Sequence, residues 1–138
     1  MSCFHRREGR NWLQELIENK EFYMNAFQSV SQKEFQRNIR DFFYGAYRWQ
    51  MMKRLNRTLN EEEAFCLRTY IYGGMETVYE WIAGGMSMSA ERMLELQELA
   101  MPEIVKNEVL SDENVPYEEA LKMMESYISE QGLLQGIF

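Results

Sequence analysis

Apolar residues recur along most of this chain at three- and four-residue steps, the period of a helix buried on one side. The first such face opens with Trp12, Leu13, Leu16 and Ile17, after Asn11 as the expected N-cap. It continues through Phe22, Tyr23 and Met24 to Phe27, with Asn19 expected to break or bend it. Ser31-Gln-Lys-Glu34 fits a capping box, in which hydroxyl and carboxylate each satisfy an orphan backbone N–H, so a second helix is predicted from Gln32. Its face is Phe35, Ile39, Phe42, Ala46 and Trp49, flanked by Phe43, Tyr47 and Met51. Arg37, Arg40, Tyr44 and Arg48 fall opposite, towards water. The basic end at Lys53, Arg54 and Arg57 suits the negative pole of a helix.

The pattern changes after Asn60. Asn60-Glu-Glu-Glu63 is a strong start signal, with three carboxylates near the positive helix pole. Two apolar stripes then run side by side. One is Ala64, Leu67, Ile71, Met75, Val78 and Ile82; the other is Cys66, Tyr70, Gly73, Thr77, Trp81 and Gly84. A helix apolar on two sides has to be covered twice, so one face is expected in the core and the other against a second layer or a second chain. Gly73-Gly74 sits mid-helix, at a cost of about 1 kcal/mol per residue relative to Ala. A kink, close helix approach and space for a ligand all fit it. Gly84-Gly85 ends the helix, and Ser87 or Ser89 caps the next, whose apolar side is Met93, Leu94, Leu96, Leu99 and Ala100. Pro102 stops it, with room for a further turn over 103–110. Pro116 opens a last amphipathic segment bearing Tyr117, Ala120, Leu121, Met124, Tyr127 and Ile128, and the chain ends on Leu133, Leu134, Ile137 and Phe138.

With no sustained alternation, the chain reads as all-α, an antiparallel helix bundle. Its 138 residues suit about one domain. Two prolines, at 102 and 116, leave long helices uninterrupted, and eleven methionines supply adaptable packing. A net charge of −7 argues against a nucleic-acid surface made by this domain itself. Cys3 and Cys66 make no CxxC pair, as expected of a reducing compartment. No apolar run is long enough to span a bilayer, and Met1–Arg7 lacks the apolar stretch of a signal peptide, so a soluble cytoplasmic protein without membrane contact is expected. Residues 1–10 are polar and are expected to be disordered.

The chain offers little chemistry. His5 is the only histidine and is expected to be solvated in that first segment, which leaves no imidazole for hydrolytic or zinc schemes. Glu91, Glu95 and Glu98 share a face but have no histidine beside them, so they read as a solvated ridge. No metal, cofactor or catalytic residue is expected, and Cys66 reads as a core cysteine. The aromatics and methionines of the second and third helices read either as a plain core or as a core loosened into a pocket. The candidate lining of such a pocket is Phe42, Tyr47, Trp49, Tyr70, Met75, Thr77 and Trp81.

The order of motifs carries more. Asn19-Lys-Glu-Phe22-Tyr23, then Phe35 to Tyr44, then Tyr72-Gly73-Gly-Met-Glu-Thr-Val78-Tyr-Glu-Trp81-Ile82-Ala-Gly84, then Ser89-Ala-Glu91-Arg-Met93 resembles the C-terminal domain of TetR-type transcriptional regulators. The subgroup it most resembles regulates dihydroxyacetone kinase operons. The resemblance covers residues 11–101 and leaves 102–138 as a helical extension. It implies an effector pocket between helices and a homodimer built from helices 61–85 and 90–101, with Val78, Ile82, Met93, Leu96 and Leu99 as candidate interface residues. It also implies that DNA is held only through a helix-turn-helix, which these residues do not contain. A helical adaptor with a fully packed core is the alternative expectation.

Overall fold

The computed structural model describes residues 4–29 and 32–110. Cys3, the Ser31 cap and everything predicted from Pro116 onward lie outside the described residues. Six helices follow one another: α1 (Phe4–Glu18), α2 (Lys20–Phe27), α3 (Gln32–Leu55), α4 (Glu61–Ala83), α5 (Ala90–Ala100) and α6 (Glu103–Val109). The chain belongs to the all-α class, as its periodicity implied.

The core is assembled along the aliphatic stripe of α4. Leu67, Ile71, Met75, Val78 and Ile82 are buried there with Leu13 and Leu16 of α1, Tyr23 and Phe27 of α2, and Ile39, Ala46, Tyr47 and Met51 of α3. Helix α3 turns slightly away from the face expected of it. Tyr47 and Met51, assigned to its flank, are buried, whereas Phe42 and Trp49 are only half-buried. Its polar side is also tied down. The Arg40 and Arg68 guanidinium groups lie 5.2 and 4.9 Å from the Tyr72 ring centre, and the Tyr72 hydroxyl donates to Asp41 at 2.9 Å. Such cation–π contacts hold α3 and α4 together outside the core.

The ends of α4 follow local rules. The Asn60 side chain accepts from the Glu63 N–H at 2.8 Å, and the Glu63 carboxylate accepts from the Asn60 N–H at 2.9 Å. Arg57 closes the arrangement, donating to both Glu63 oxygens at 2.7 and 2.9 Å. Asn60→Ala removes one acceptor and is expected to lower the unfolding free energy by about 1 kcal/mol. A lower urea midpoint with unchanged slope would register it. At the other end the chain turns through Gly85, at φ +92°, and Met86, at φ 57°. That left-handed pair lets the Met86 N–H reach the Trp81 carbonyl at 2.9 Å. The Trp81 indole then donates to the Met88 carbonyl at 2.9 Å, fixing the approach to α5, which Ser89 caps.

One expectation, at the start of the chain, is corrected. Residues 4–10 are the first turns of α1 and not a disordered segment. Arg6 pairs with Glu98 at 2.7 Å and Arg10 with Glu91 at 3.2 Å, so charges that looked solvated strap α1 to α5. Between them Gly9 is buried, and a Cβ there would meet Leu94 Cδ1 at 2.9 Å; the glycine is what lets the two helices come this close. Residues 103–109 likewise join the core. Val105 and Val109 of α6 are fully buried, and Arg54 of α3 pairs with Glu108 at 3.2 Å.

Candidate functional site

Among the described residues no layer lies over the second stripe of α4. Between it and α5 runs an open groove of about 770 Å³. Cys66, Tyr70, Gly73, Thr77 and Trp81 form its α4 side, while Met93, Leu96, Gln97 and Ala100 form its α5 side. Glu80 is the one charged residue among those lining it. Phe65, at the end of the groove nearest the start of α4, is 70 % exposed, and Leu99 on α5 is 79 % exposed. A Cβ placed on Gly73 or Gly74 would meet nothing within 4 Å. The two glycines thus leave the helix backbone bare towards open space, and α4 runs through them without interruption.

Behind that bare stretch lies a second, much smaller void of about 40 Å³, half-open like the groove. His5 reaches it from α1 and is 2 % exposed. Its Nδ1 pairs with the Tyr47 hydroxyl, and its ring meets the Tyr47 ring edge-on. Burial is the main reason its pKa falls to about 4, with Glu98 opposing and Arg6 adding to the shift, so the imidazole is neutral at pH 7. Among the described residues neither its Nε2 nor the Trp12 indole N–H has a hydrogen-bond partner. Tyr70, Gly74 and Gln97 line both the void and the groove, forming the wall between them. The Tyr70 hydroxyl donates to the Gln97 carbonyl at 2.9 Å, linking α4 to α5 within that wall.

The expected pocket residues are divided by this geometry. Tyr70, Thr77 and Trp81 line the groove, and Tyr47 and Met75 line the void. Phe42 and Trp49 line neither: Phe42 meets Phe43 edge-on with ring centres 5.2 Å apart, and Lys53 lies 5.9 Å from the Trp49 ring centre. The expected interface residues are divided as well. Val78 is 0 % and Ile82 1 % exposed, so both are consumed by this chain's own core and offer nothing to a second copy. Met93 is buried with one edge on the groove, Leu96 is half-buried in it, and Leu99 is open to solvent. One sequence reading is extended and one is corrected. Cys66 is half-buried, packed against the core with the groove on its other side, and His5 is buried and not solvated. Only the four-residue step from His5 to Gly9 to Leu13 could have pointed to His5 in advance.

No group of three or more His, Cys, Asp or Glu is placed to hold a metal ion among the described residues. No helix among them is long and apolar enough to cross a membrane.

The family model TetR_C_8, the transcriptional regulator C-terminal region, matches residues 10–101, and the chain belongs to that family. No curated protein and no solved structure matches it.

Proposed function

We propose that this chain is the regulatory domain of a TetR-type transcriptional regulator. It pairs with a second copy through the groove between α4 and α5 and responds to a small effector inside the bundle. The observation that carries the pairing is the second stripe of α4, an apolar surface with bare backbone at Gly73 and Gly74 and almost no charge. A contiguous apolar patch of this kind marks an interaction site. A two-fold axis would bring the same stripe of both copies together, helix backbone against helix backbone. The expected partner surface therefore moves from Val78 and Ile82 to Tyr70, Gly73, Thr77, Leu96 and Ala100. Within the family, the order of motifs favours the group that regulates dihydroxyacetone kinase operons. DNA contact would belong to a helix-turn-helix outside these residues.

Sedimentation equilibrium of the full chain tests the pairing. The expected result is a species of twice 16.6 kDa at micromolar concentration, dissociating on dilution. A monomer throughout that range defeats the proposal. The small size of the interior void, about 40 Å³, favours a second reading, in which a packed helical adaptor uses the same groove for a different protein. A monomeric chain with the groove still open would move the assignment there.

A further inference from the structure

We infer that the groove between α4 and α5 is the docking site for this chain's own segment 117–128, which caps it and competes with a second copy for the same surface. The competition rests on the pairing proposed above; the capping does not.

The segment lies outside the described residues, and its sequence carries a single apolar stripe. Tyr117, Ala120, Leu121, Met124, Tyr127 and Ile128 recur at three- and four-residue steps behind Pro116, which suits a first helical turn. Glu118, Glu119, Lys122 and Glu125 all fall off that stripe. A short helix of this kind is marginal in water by itself, and amphipathic helices of this spacing lay their apolar face into a hydrophobic groove.

The groove has the matching form. Gly73 and Gly74 leave its α4 wall without side chains at mid-length, so a further helix can come close there. From Cys66 to Trp81 that wall is about 22 Å long at the helical rise, and residues 117–128 as a helix would span about 17 Å.

Position brings the two together. Helix α6 packs on α3 and α4, and Glu108 near its end pairs with Arg54 at 3.2 Å. Arg54 stands one turn before Arg57, whose guanidinium holds Glu63 in the first turn of α4. Phe65, two residues further on, lines the groove, as do Ala100 and Pro102 where α5 ends. The described chain thus stops, at Leu110, near the end of the groove that carries Phe65. Residues 111–116 reach up to about 20 Å when extended, enough to bring Tyr117 to that end.

A segment on so short a linker meets the groove at an effective concentration of the order of millimolar, whereas a second copy arrives at micromolar. A cap closed in about nine chains of ten leaves about a tenth competent to pair. A pair needs two open grooves, so pairing is weakened about a hundredfold.

The test is the rate at which iodoacetamide alkylates Cys66, half-buried on the groove, in the full chain with Cys3→Ser leaving it as the single thiol. At dilutions where sedimentation shows monomers, adding Leu121→Asp and Met124→Asp is expected to raise that rate about tenfold, and a synthetic peptide of residues 111–131 at millimolar concentration to lower it again. The same substitutions are expected to tighten pairing about a hundredfold, the square of the change in rate. Equal rates with and without the substitutions overturn the cap, and so does a fast rate that the peptide leaves unchanged. Slow alkylation of the unsubstituted chain only at concentrations where it pairs assigns the groove to the second copy alone and also overturns the cap. An unchanged dissociation constant in a chain whose Cys66 has become reactive overturns the competition. If the substituted chain reacts fast at every concentration, the cap stands and the pairing reading fails.

Discussion

A chain carrying Gly73→Leu is expected to fold at least as stably as the original and to lose its ability to pair. Gly73 lies in the interior of α4, is exposed, and would meet nothing within 4 Å if given a side chain. Leucine is a far better helix former, so the isolated monomer should gain about 1 kcal/mol. In the pair, the same side chain would stand twice in the contact, once from each copy. Overpacking costs about 1–3 kcal/mol per site, so two sites should weaken pairing by about 2–6 kcal/mol, or some thirty- to twenty-five-thousand-fold. Stability has to be compared at dilutions where both chains are monomeric, because pairing itself raises the apparent melting point. An unchanged dissociation constant would remove Gly73 and its groove from the interface.

Acid should unfold this domain in two separable stages, the first belonging to His5. Its pKa is about 4 in the folded chain against 6.5 for a free imidazole, chiefly through burial. The unfolded chain therefore takes up the proton first. Stability is complete above pH 6.5, falls as the pH drops from 6.5 to 4, and levels off below. A shift of that size corresponds to about 3 kcal/mol. Glu63 and Glu98 act in a lower window. Their pKa values are depressed, Glu63 by its hydrogen bonds from Arg57 and then Asn60, and Glu98 by the hydrogen bond from Arg6. Their stabilisation is present above the ordinary carboxylate value of 4.5 and is lost as the pH falls through the lower folded values. His5→Gln should abolish the upper stage and keep the lower one, as read from urea unfolding at a series of pH values. An equal slope between pH 6.5 and 4 in that variant would show that another group carries it.

The local elements could be read from the sequence because their causes are local. Asn60 with Glu63, Ser89 before Ala90, and Gly84-Gly85 each fix a helix end through neighbouring atoms alone. The two stripes of α4 were equally visible. What the sequence left open was which stripe faces inward, since both are apolar at the same period. Composition decides it physically. Leu67, Ile71, Val78 and Ile82 gain more from leaving water than a stripe containing Gly73, Thr77 and the Tyr70 hydroxyl. The first residues of α1 were misread because their partners are distant. Arg6, Gly9 and Arg10 are polar or small by themselves and acquire a structural role only against Glu98, Leu94 and Glu91, over eighty residues later. The pocket candidates divide similarly: Tyr47 and Met75 could be placed by period, while the packing of His5 on Tyr47 and of Trp12 on Phe43 needed the approach of α1 to α3.

In the proposed pair helix α4 would belong to two interiors at once, its aliphatic side to its own chain and its glycine side to the pair. Once the groove is covered, little of the helix remains for solvent beyond positions such as Glu62 and Glu76. Substitution should then be tolerated there with the period of a narrow outer ridge, and hardly elsewhere along the helix. Changes on the inner side would be read as loss of protein, and changes on the glycine side as a soluble protein that no longer regulates. A single helix scanned residue by residue would thus separate folding phenotypes from signalling phenotypes.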